Sequence, residues 1–317
     1  MVDLSGFFDV LSRVDSYRLA KKFLFQLDAE QVHHWTLRGM KVAEKLGLLH
    51  AFLSPPESLN QPVEVMGITF PNIVGLAAGM DKAGAAVDAF ESLGFGHVEV
   101  GTVTPRPQPG NDQPRLFRLV EHEAIINRMG FNNPGLEGVL ANLEKRRAHR
   151  GILGVNIGKN FDTPNENAID DYLKGLRAAN SVADYLVVNL SSPNTKGLRD
   201  LQGIESCEAL LSRLLEEREK PIAVKLAPDL SDDHLKGLAD MLSKIGIDAV
   251  IATNTTLDRS AVAGHALADE AGGLSGGPLR ERALDCLKLW RKELDESVPV
   301  ISVGGIMSGA IAKERLE

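Results

Sequence analysis

The sequence predicts an α/β fold, a (β/α)8 TIM barrel one strand short with helices ahead of it, and three observations predict it. From about residue 73, near-continuous apolar runs alternate with longer charged segments patterned as helices. Strands covered on both faces read this way, so the sheet is expected to be parallel with helical crossovers. Polar residues also close nearly every run: Lys82, Thr102, Asn156, Asn189, Lys225, Asn254 and the Gly304-Gly305 pair. Strand ends that all converge require a ring, whereas an open doubly wound sheet offers one crevice at its switch point. Finally, 317 residues with 44% hydrophobic content can fill such a core.

Residues 1–54 precede the repeat and are expected to form a separate helical extension, leaving 55–317 to the barrel. An apolar patch (Phe7, Phe8, Val10, Leu11) comes first. A helix is expected over 17–27, with Leu19, Phe23 and Leu27 on one face. Asp28 reads as the N-cap of a second helix, its carboxylate accepting from the Gln31 backbone, with Glu30 in the first turn. This helix continues to about residue 48. Val32, Trp35, Leu37, Met40, Val42, Leu46 and Leu48 are mixed there with His33, His34, Arg38, Lys41 and Lys45. Such a pair either lies in a membrane surface or caps the barrel.

Seven strands follow: IVGLAAG (73–79), HVEVGTV (97–103), ILGVNIG (152–158), YLVVNLS (185–191), IAVKLA (222–227), AVIATN (249–254) and VISVGG (300–305). Between them, 206–219 places Leu210, Leu211, Leu214 and Leu215 on one helical face. Residues 231–245 carry Asp232 and Asp233 at the start and Lys244 near the end, as the helix dipole favours. Residues 308–317 begin a helix with no eighth strand behind it, so the barrel is expected to be C-terminally incomplete.

The bulk properties exclude several classes. A net charge of -8 argues against a nucleic-acid partner. Cys207 and Cys286 lack the spacing of a disulfide framework or zinc site, and the eight histidines are scattered, so no metal is expected. No apolar run reaches the ~18 residues that span a bilayer, no signal peptide is read, and no triphosphate-binding GxxxxGK[ST] loop occurs.

The chemistry concentrates in a few stretches. NLSSPNTKGL (189–198) leaves a strand into a loop at Pro193. Its amides suit a small planar ring, and a serine there can accept a proton or act as nucleophile; a Ser/Asn-rich turn is the plainer reading. In GLAAGMDKAG (75–84), small residues admit a flat ligand, and Lys82 can neutralise a carboxylate or phosphate. Lys225 lies inside an apolar strand, where a lysine needs a partner, so it is expected to contact a cofactor that gains negative charge. GGLSGGPL (272–279) and SVGGI (302–306) fall where barrels build phosphate sites. INRMGFNNPG (126–135), inserted between the second and third strands, could fold over the site as a lid.

Together, GLAAGMDKAG, GTVTPRPQPGNDQPRLFRL, NRMGFNN, NIGKN, NLSSPNT, AVKLAPDL, ATNTTLDR, GGLSGGPL and VGGI resemble the signatures of the dihydroorotate dehydrogenases, in that family's order. Ser192 resembles the quinone-dependent class, because the soluble class has cysteine there. The resemblance implies oxidation of dihydroorotate to orotate in pyrimidine synthesis, with FMN as hydride acceptor and a membrane quinone as final acceptor. It implies Ser192 as catalytic base and Lys225 beside the flavin. FMN would be lined by Ala78, Gly79, Lys82, Thr102, Asn156, Asn189, Lys225, Thr253, Gly276 and Gly305. Substrate would be held by Lys82, the Asn127, Arg128, Met129, Gly130 and Phe131 run, Asn189, Asn194, Asn254 and Thr255. His33 and Arg118 would lie near the quinone, and the extension would attach peripherally to the cytoplasmic side of the inner membrane. Rival readings are a flavin barrel that reduces pyrimidines, a non-catalytic fragment, and a phosphate-binding isomerase; the last leaves Ser192 and Lys225 without a task.

Overall fold

The computed structural model describes residues 16–52, 61–147 and 151–317. Phe7, Phe8, Val10, Leu11 and the side chain of Leu19 lie outside what it describes. Helix α1 (Ser16–Leu24) is followed by α2 (Ala29–Lys45) and α3 (Leu48–Phe52). Asp28 caps α2 as expected, accepting from the Gln31 backbone N–H at 2.9 Å and satisfying an amide with no intrahelical partner. The helix expected to reach residue 48 stops at Lys45. Gly47, at φ +70°, redirects the chain into α3.

Strands β1 (Val63–Val65) and β2 (Ile68–Phe70) form an antiparallel hairpin that the periodicity did not predict. Met66 and Gly67 make its turn at φ +57° and +70°, the double left-handed geometry of a two-residue hairpin loop. The repeat then runs β3 (Gly75–Leu76), α4 (Val87–Ser92), β4 (His97–Val103), β5 (Leu116–Leu119), β6 (Ala124–Asn127), α5 (Gly135–Leu143), β7 (Ile152–Ile157), α6 (Ala168–Ala179) and β8 (Tyr185–Asn189). It continues with α7 (Ile204–Glu216), β9 (Ile222–Leu226), α8 (Asp232–Ile245), β10 (Ala249–Ala252), β11 (Gly273–Gly276), α9 (Arg280–Glu293), β12 (Val300–Ser302) and α10 (Gly309–Glu314).

The seven expected strands make one sheet in the order β12-β10-β9-β8-β7-β4-β3, every pair parallel. Neighbours in space are neighbours in the repeat, as in a barrel and not in a doubly wound sheet. Among the described residues, β3 and β12 are its two edges. Both are shorter than expected: 73–79 contributes only Gly75 and Leu76, and 300–305 only Val300–Ser302. Gly79, Gly304 and Gly305 all have positive φ and turn the chain out of the ladder.

Side-chain alternation sorts each strand. Val98, Val100, Leu153, Val155, Leu186, Val188, Val224 and Val250 face outward and pack on helix residues including Leu176, Leu211, Leu238 and Trp290. The opposite parity points inward. At the N-terminal end these residues are apolar apart from His97, whose ring packs edge-on against Phe70 and Tyr185; with Tyr185, Val187, Ala223, Ala249 and Ile251 also against Phe70, the β1–β2 hairpin plugs that mouth. Gly154 is required here, since a Cβ would lie 2.4 Å from the Tyr185 ring. One or two steps further along, the inward residues are Glu99, Asn156, Asn189 and Lys225, all buried.

The stretch expected as a loose lid is partly strand. Asn127 ends β6, which pairs with β5 and β11 in a second, antiparallel sheet. Gly273 opposes Asn127, so this insertion and the first glycine-rich stretch form one platform. Helix α2 docks beside it through buried Glu30, whose carboxylate receives Arg115 Nη2 at 2.7 Å and Nε at 3.0 Å.

Candidate active site

At the C-terminal ends of the strands lies a cavity of about 120 Å³. It gathers residues far apart in sequence. Ala78, Gly79 and Lys82 follow β3, Gly101 and Thr102 end β4, and Asn127, Met129, Gly130 and Phe131 leave β6. Asn189 ends β8 with Ser192 and Asn194 in the loop after it, Lys225 stands on β9, and Asn254 and Thr255 follow β10.

Its floor is a directed chain of hydrogen bonds. Asn189 Nδ2 donates to Thr102 Oγ1 at 2.8 Å, and Thr102 Oγ1 donates to Asn156 Oδ1 at 2.5 Å. Asn156 Nδ2 donates to Glu99 Oε1 at 2.7 Å, and Lys225 Nζ approaches the same oxygen at 3.5 Å. An ammonium carries three donors. Among the described residues Lys225 has this one long contact, and it lines the cavity, so it retains capacity for an acceptor-rich ligand. The small residues Ala78, Gly79 and Gly101 allow a flat group to come close to the backbone. At Gly101 (φ +108°) a Cβ would meet the Asn156 carbonyl at 2.4 Å. These features fit a flavin ring.

The wall is held from outside. Asn194 Nδ2 donates to Asn127 Oδ1 at 3.2 Å, and Asn111 Nδ2 bridges the backbone oxygens of Arg128 and Asn194. The two serines of the loop are not equivalent. Ser191 is fully buried, donating to Asn189 Oδ1 and receiving Asn254 Nδ2 at 3.0 Å, and Arg199 grips its carbonyl. Ser192 faces the cavity, and its Oγ accepts from the Asn194 backbone at 3.3 Å. The buried Thr195 hydroxyl has no hydrogen-bond partner among the described residues.

Lys82 stands in two walls. It also lines a second cavity of about 460 Å³, between α2 and the barrel, that includes His33, His34, Leu37 and Arg38. Its Nζ donates to the Gly79 carbonyl at 2.7 Å. Loss of hydration pushes its pKa down to about 8, with Arg115 acting in the same direction and Glu30 opposing. Burial, reinforced by the Lys82 charge, pushes His33 down to about 4. Arg118 lies at the N-terminal end of α2, donating to the Leu27 carbonyl at 2.9 Å and stacking over Phe25.

Some expected site residues lie elsewhere. Arg128 turns away from the cavity: its guanidinium binds Glu270 at 2.6 Å and the Pro114 carbonyl, and stacks over Phe117. Asn156 sits below the floor as a link in its hydrogen-bond chain. Thr253 is buried, with its backbone N–H on Val303 and its hydroxyl on the Asn254 carbonyl. Gly276 and Gly305 flank the start of α9, where a Cβ would lie 2.2 Å from the Glu123 oxygen and 2.4 Å from the Arg280 Cα respectively. Glu99 and Gly101 were not singled out from the sequence. Glu99 carries the signal that marked Lys225, a charge inside an apolar strand. No group of His, Cys, Asp and Glu able to hold a metal ion occurs among the described residues.

Comparison with known proteins agrees with this geometry. A family model described as dihydroorotate dehydrogenase matches residues 61–317. The "Dihydroorotate dehydrogenase (quinone)" of Stenotrophomonas maltophilia is 52% identical over 312 residues, covering 95% of this chain and 88% of its own. That of Chromobacterium violaceum is 52% identical over 310 residues, covering 95% and 89%. Among solved structures, the enzyme of Eimeria tenella in complex with ferulenol superposes with a TM-score of 0.81 at 37% identity, covering 91% of this chain and 83% of that one.

Proposed function

The chain belongs to the dihydroorotate dehydrogenase family, in its quinone-dependent branch, and from that premise we propose how its residues divide the work. The enzyme oxidises dihydroorotate to orotate, a step of pyrimidine biosynthesis, with a flavin as redox cofactor and a quinone as final acceptor. The flavin is FMN. Gly101, Thr102, Asn189 and Lys225 would hold its ring, with Ala78 and Gly79 beside them and Asn156 supporting Thr102, and Thr253, Gly276 and Gly305 would hold its remainder. The bound flavin supplies the hydride acceptor.

Oxidation removes a proton from C5 and a hydride from C6 of dihydroorotate. Ser192 takes the proton; the observation that carries this assignment is that Ser192, unlike its locked neighbour Ser191, opens onto the same cavity as Lys225. A serine hydroxyl is a weak base and needs a route for the proton. The unpartnered Thr195 hydroxyl in the same loop is suited to that relay. Asn127, Asn194, Asn254 and Thr255 read the ring's alternating N–H and C=O groups, and Lys82 neutralises the carboxylate. Met129, Gly130 and Phe131 exclude water through backbone and apolar contact. Arg128 acts through its backbone, its side chain tethering the platform.

Residues 1–54 form the quinone-side extension and 55–317 the barrel. His33, held neutral by its surroundings, and Arg118 flank the quinone's approach along α2. The extension attaches the enzyme peripherally to the cytoplasmic face of the inner membrane. Exposed Phe23, Trp35, Val42, Leu46 and Leu48 support this, as an in-plane amphipathic helix requires. Among the described residues, no helix is long and apolar enough to cross a membrane.

The test is Ser192→Ala, with anaerobic flavin bleaching by dihydroorotate followed in stopped flow. Bleaching should slow by about 10²–10⁴-fold, the usual worth of a positioned base, while orotate affinity stays within a few-fold. An unchanged rate would place the base elsewhere.

A further inference from the structure

We propose that Glu99 is the built-in counter-ion of Lys225 and sets the charge that the cavity floor presents to the flavin. The inference rests on the reading above, that the flavin ring lies over Lys225. Glu99 is a positioning residue: it does not line the cavity, and acts through Lys225 and Asn156.

Three observations carry it. Glu99 is 2% exposed and Lys225 5% exposed, so each charge has been taken out of water and is tenable only beside an opposite charge or strong hydrogen bonds. Among the described residues, Lys225 is the cation paired with that carboxylate, at 3.5 Å. That separation exceeds the 2.7–2.9 Å or so of a committed charge-assisted bond, so the carboxylate holds the ammonium in place without consuming its donors. Finally, an ionised carboxylate only accepts. Placed at the end of the chain, Glu99 fixes its direction: Asn156 must donate to it, Thr102 to Asn156, and Asn189 to Thr102. One buried carboxylate thereby orients the polar groups of three strands ending at the floor.

The electrostatic consequence has a sign. Electrons arriving on a flavin add negative charge, which Lys225 favours and Glu99 opposes. Their pairing keeps the floor near neutral, so the flavin is not made so oxidising that it holds its electrons against the quinone.

The experiment compares midpoint potentials of the flavin-loaded enzyme with those of Glu99→Gln, Glu99→Asp and Lys225→Met. Glu99→Gln keeps the shape and an acceptor but removes the charge. Its potential should rise, and reoxidation by quinone should slow at least tenfold while KM for dihydroorotate is unchanged. Glu99→Asp should return the potential toward that of the native enzyme, and Lys225→Met should lower it. A Glu99→Gln potential equal to that of the native enzyme, with Lys225→Met lowered, overturns the proposal and leaves the flavin position standing. Unchanged potentials in both variants sink the flavin position itself.

If Glu99→Gln retains no flavin, thermal unfolding of the flavin-free chains decides. Lys225→Met strands a buried carboxylate, so adding Glu99→Gln to it should raise the melting temperature. Simple addition of two losses would refute the pairing.

Discussion

Lys82 stands between the strand-end cavity and the space under α2, and on the proposed reading its protonation would couple pH to substrate binding. With its pKa pushed down to about 8, the ammonium is present below that pH and lost above it. Orotate affinity should therefore hold steady through neutral pH and weaken above about pH 8, with the limb displaced upward once the carboxylate is bound. Lys82→Met should remove the limb and cost about 10–100-fold in affinity, the worth of one charged hydrogen bond. Titrating the flavin spectrum with orotate across pH checks both, and a limb that survives the substitution assigns it to another group. Lys225 was legible because a lysine inside an apolar strand is the wrong chemistry for its place unless something binds there, whereas Ser192 stood out only through the family resemblance, its loop reading equally well as a Ser/Asn-rich turn. Glu99 was equally out of place and went unread, because its partner is 126 residues away and no local pattern pairs them. The outward turn of Arg128 was illegible for the same reason, since Glu270 draws it aside only once β6 and β11 are paired.

The elements that sequence reasoning placed best were those with long periodic patterns: β4, β7, β8, β9, β10 and the helices α7 and α8. Ser231 caps α8 by accepting from the His234 backbone, and the acidic first turn follows. The β1–β2 hairpin was missed because three-residue strands carry too little alternation, although Met66-Gly67 marks its turn. Its role is nevertheless large. Phe70→Ala should destabilise by about 3–5 kcal/mol in denaturant unfolding, as for large aromatic truncations in cores, and a loss below about 1 kcal/mol would mean that the plug is dispensable. Helix α2 is anchored by Leu37 and Met40 against the core, by Glu44 on Ser92, and by the buried Glu30–Arg115 pair. Arg115→Ala strands a carboxylate that is 4% exposed, and about 3–5 kcal/mol should be lost. The arginine holds the Glu30 carboxyl below its ordinary 4.5. The pair's contribution is thus complete above pH 4.5 and disappears as pH falls through the lower folded value. In Arg115→Ala, quinone reduction should suffer more than bleaching of the flavin by substrate.

For the molecule as a whole, the proposed layout separates two half-reactions: substrate chemistry would sit over the barrel, while the acceptor would approach under a helical extension that exposes Phe23, Trp35, Val42 and Leu46. Replacing Trp35 and Leu46 by serine should weaken binding to lipid vesicles and slow turnover with a long-chain quinone, leaving reduction of a soluble dye unchanged; equal vesicle binding would reassign that face. The parallel sheet was legible because apolar runs and polar strand ends repeat seven times. The joining of two distant loops into the β5-β6-β11 platform was not, because antiparallel pairing between segments about 150 residues apart leaves no periodic trace.

All of this depends on a proton leaving C5 toward Ser192 while the hydride leaves C6 toward the floor. The most direct measurement uses dihydroorotate deuterated at C5 or at C6, mixed anaerobically with the flavin-loaded enzyme while bleaching is recorded. Both labels should slow the reaction in the native enzyme, and in Ser192→Ala the C5 label should dominate what rate remains. Full-speed bleaching with C5-deuterated substrate, in the native enzyme and in Ser192→Ala alike, would contradict the account.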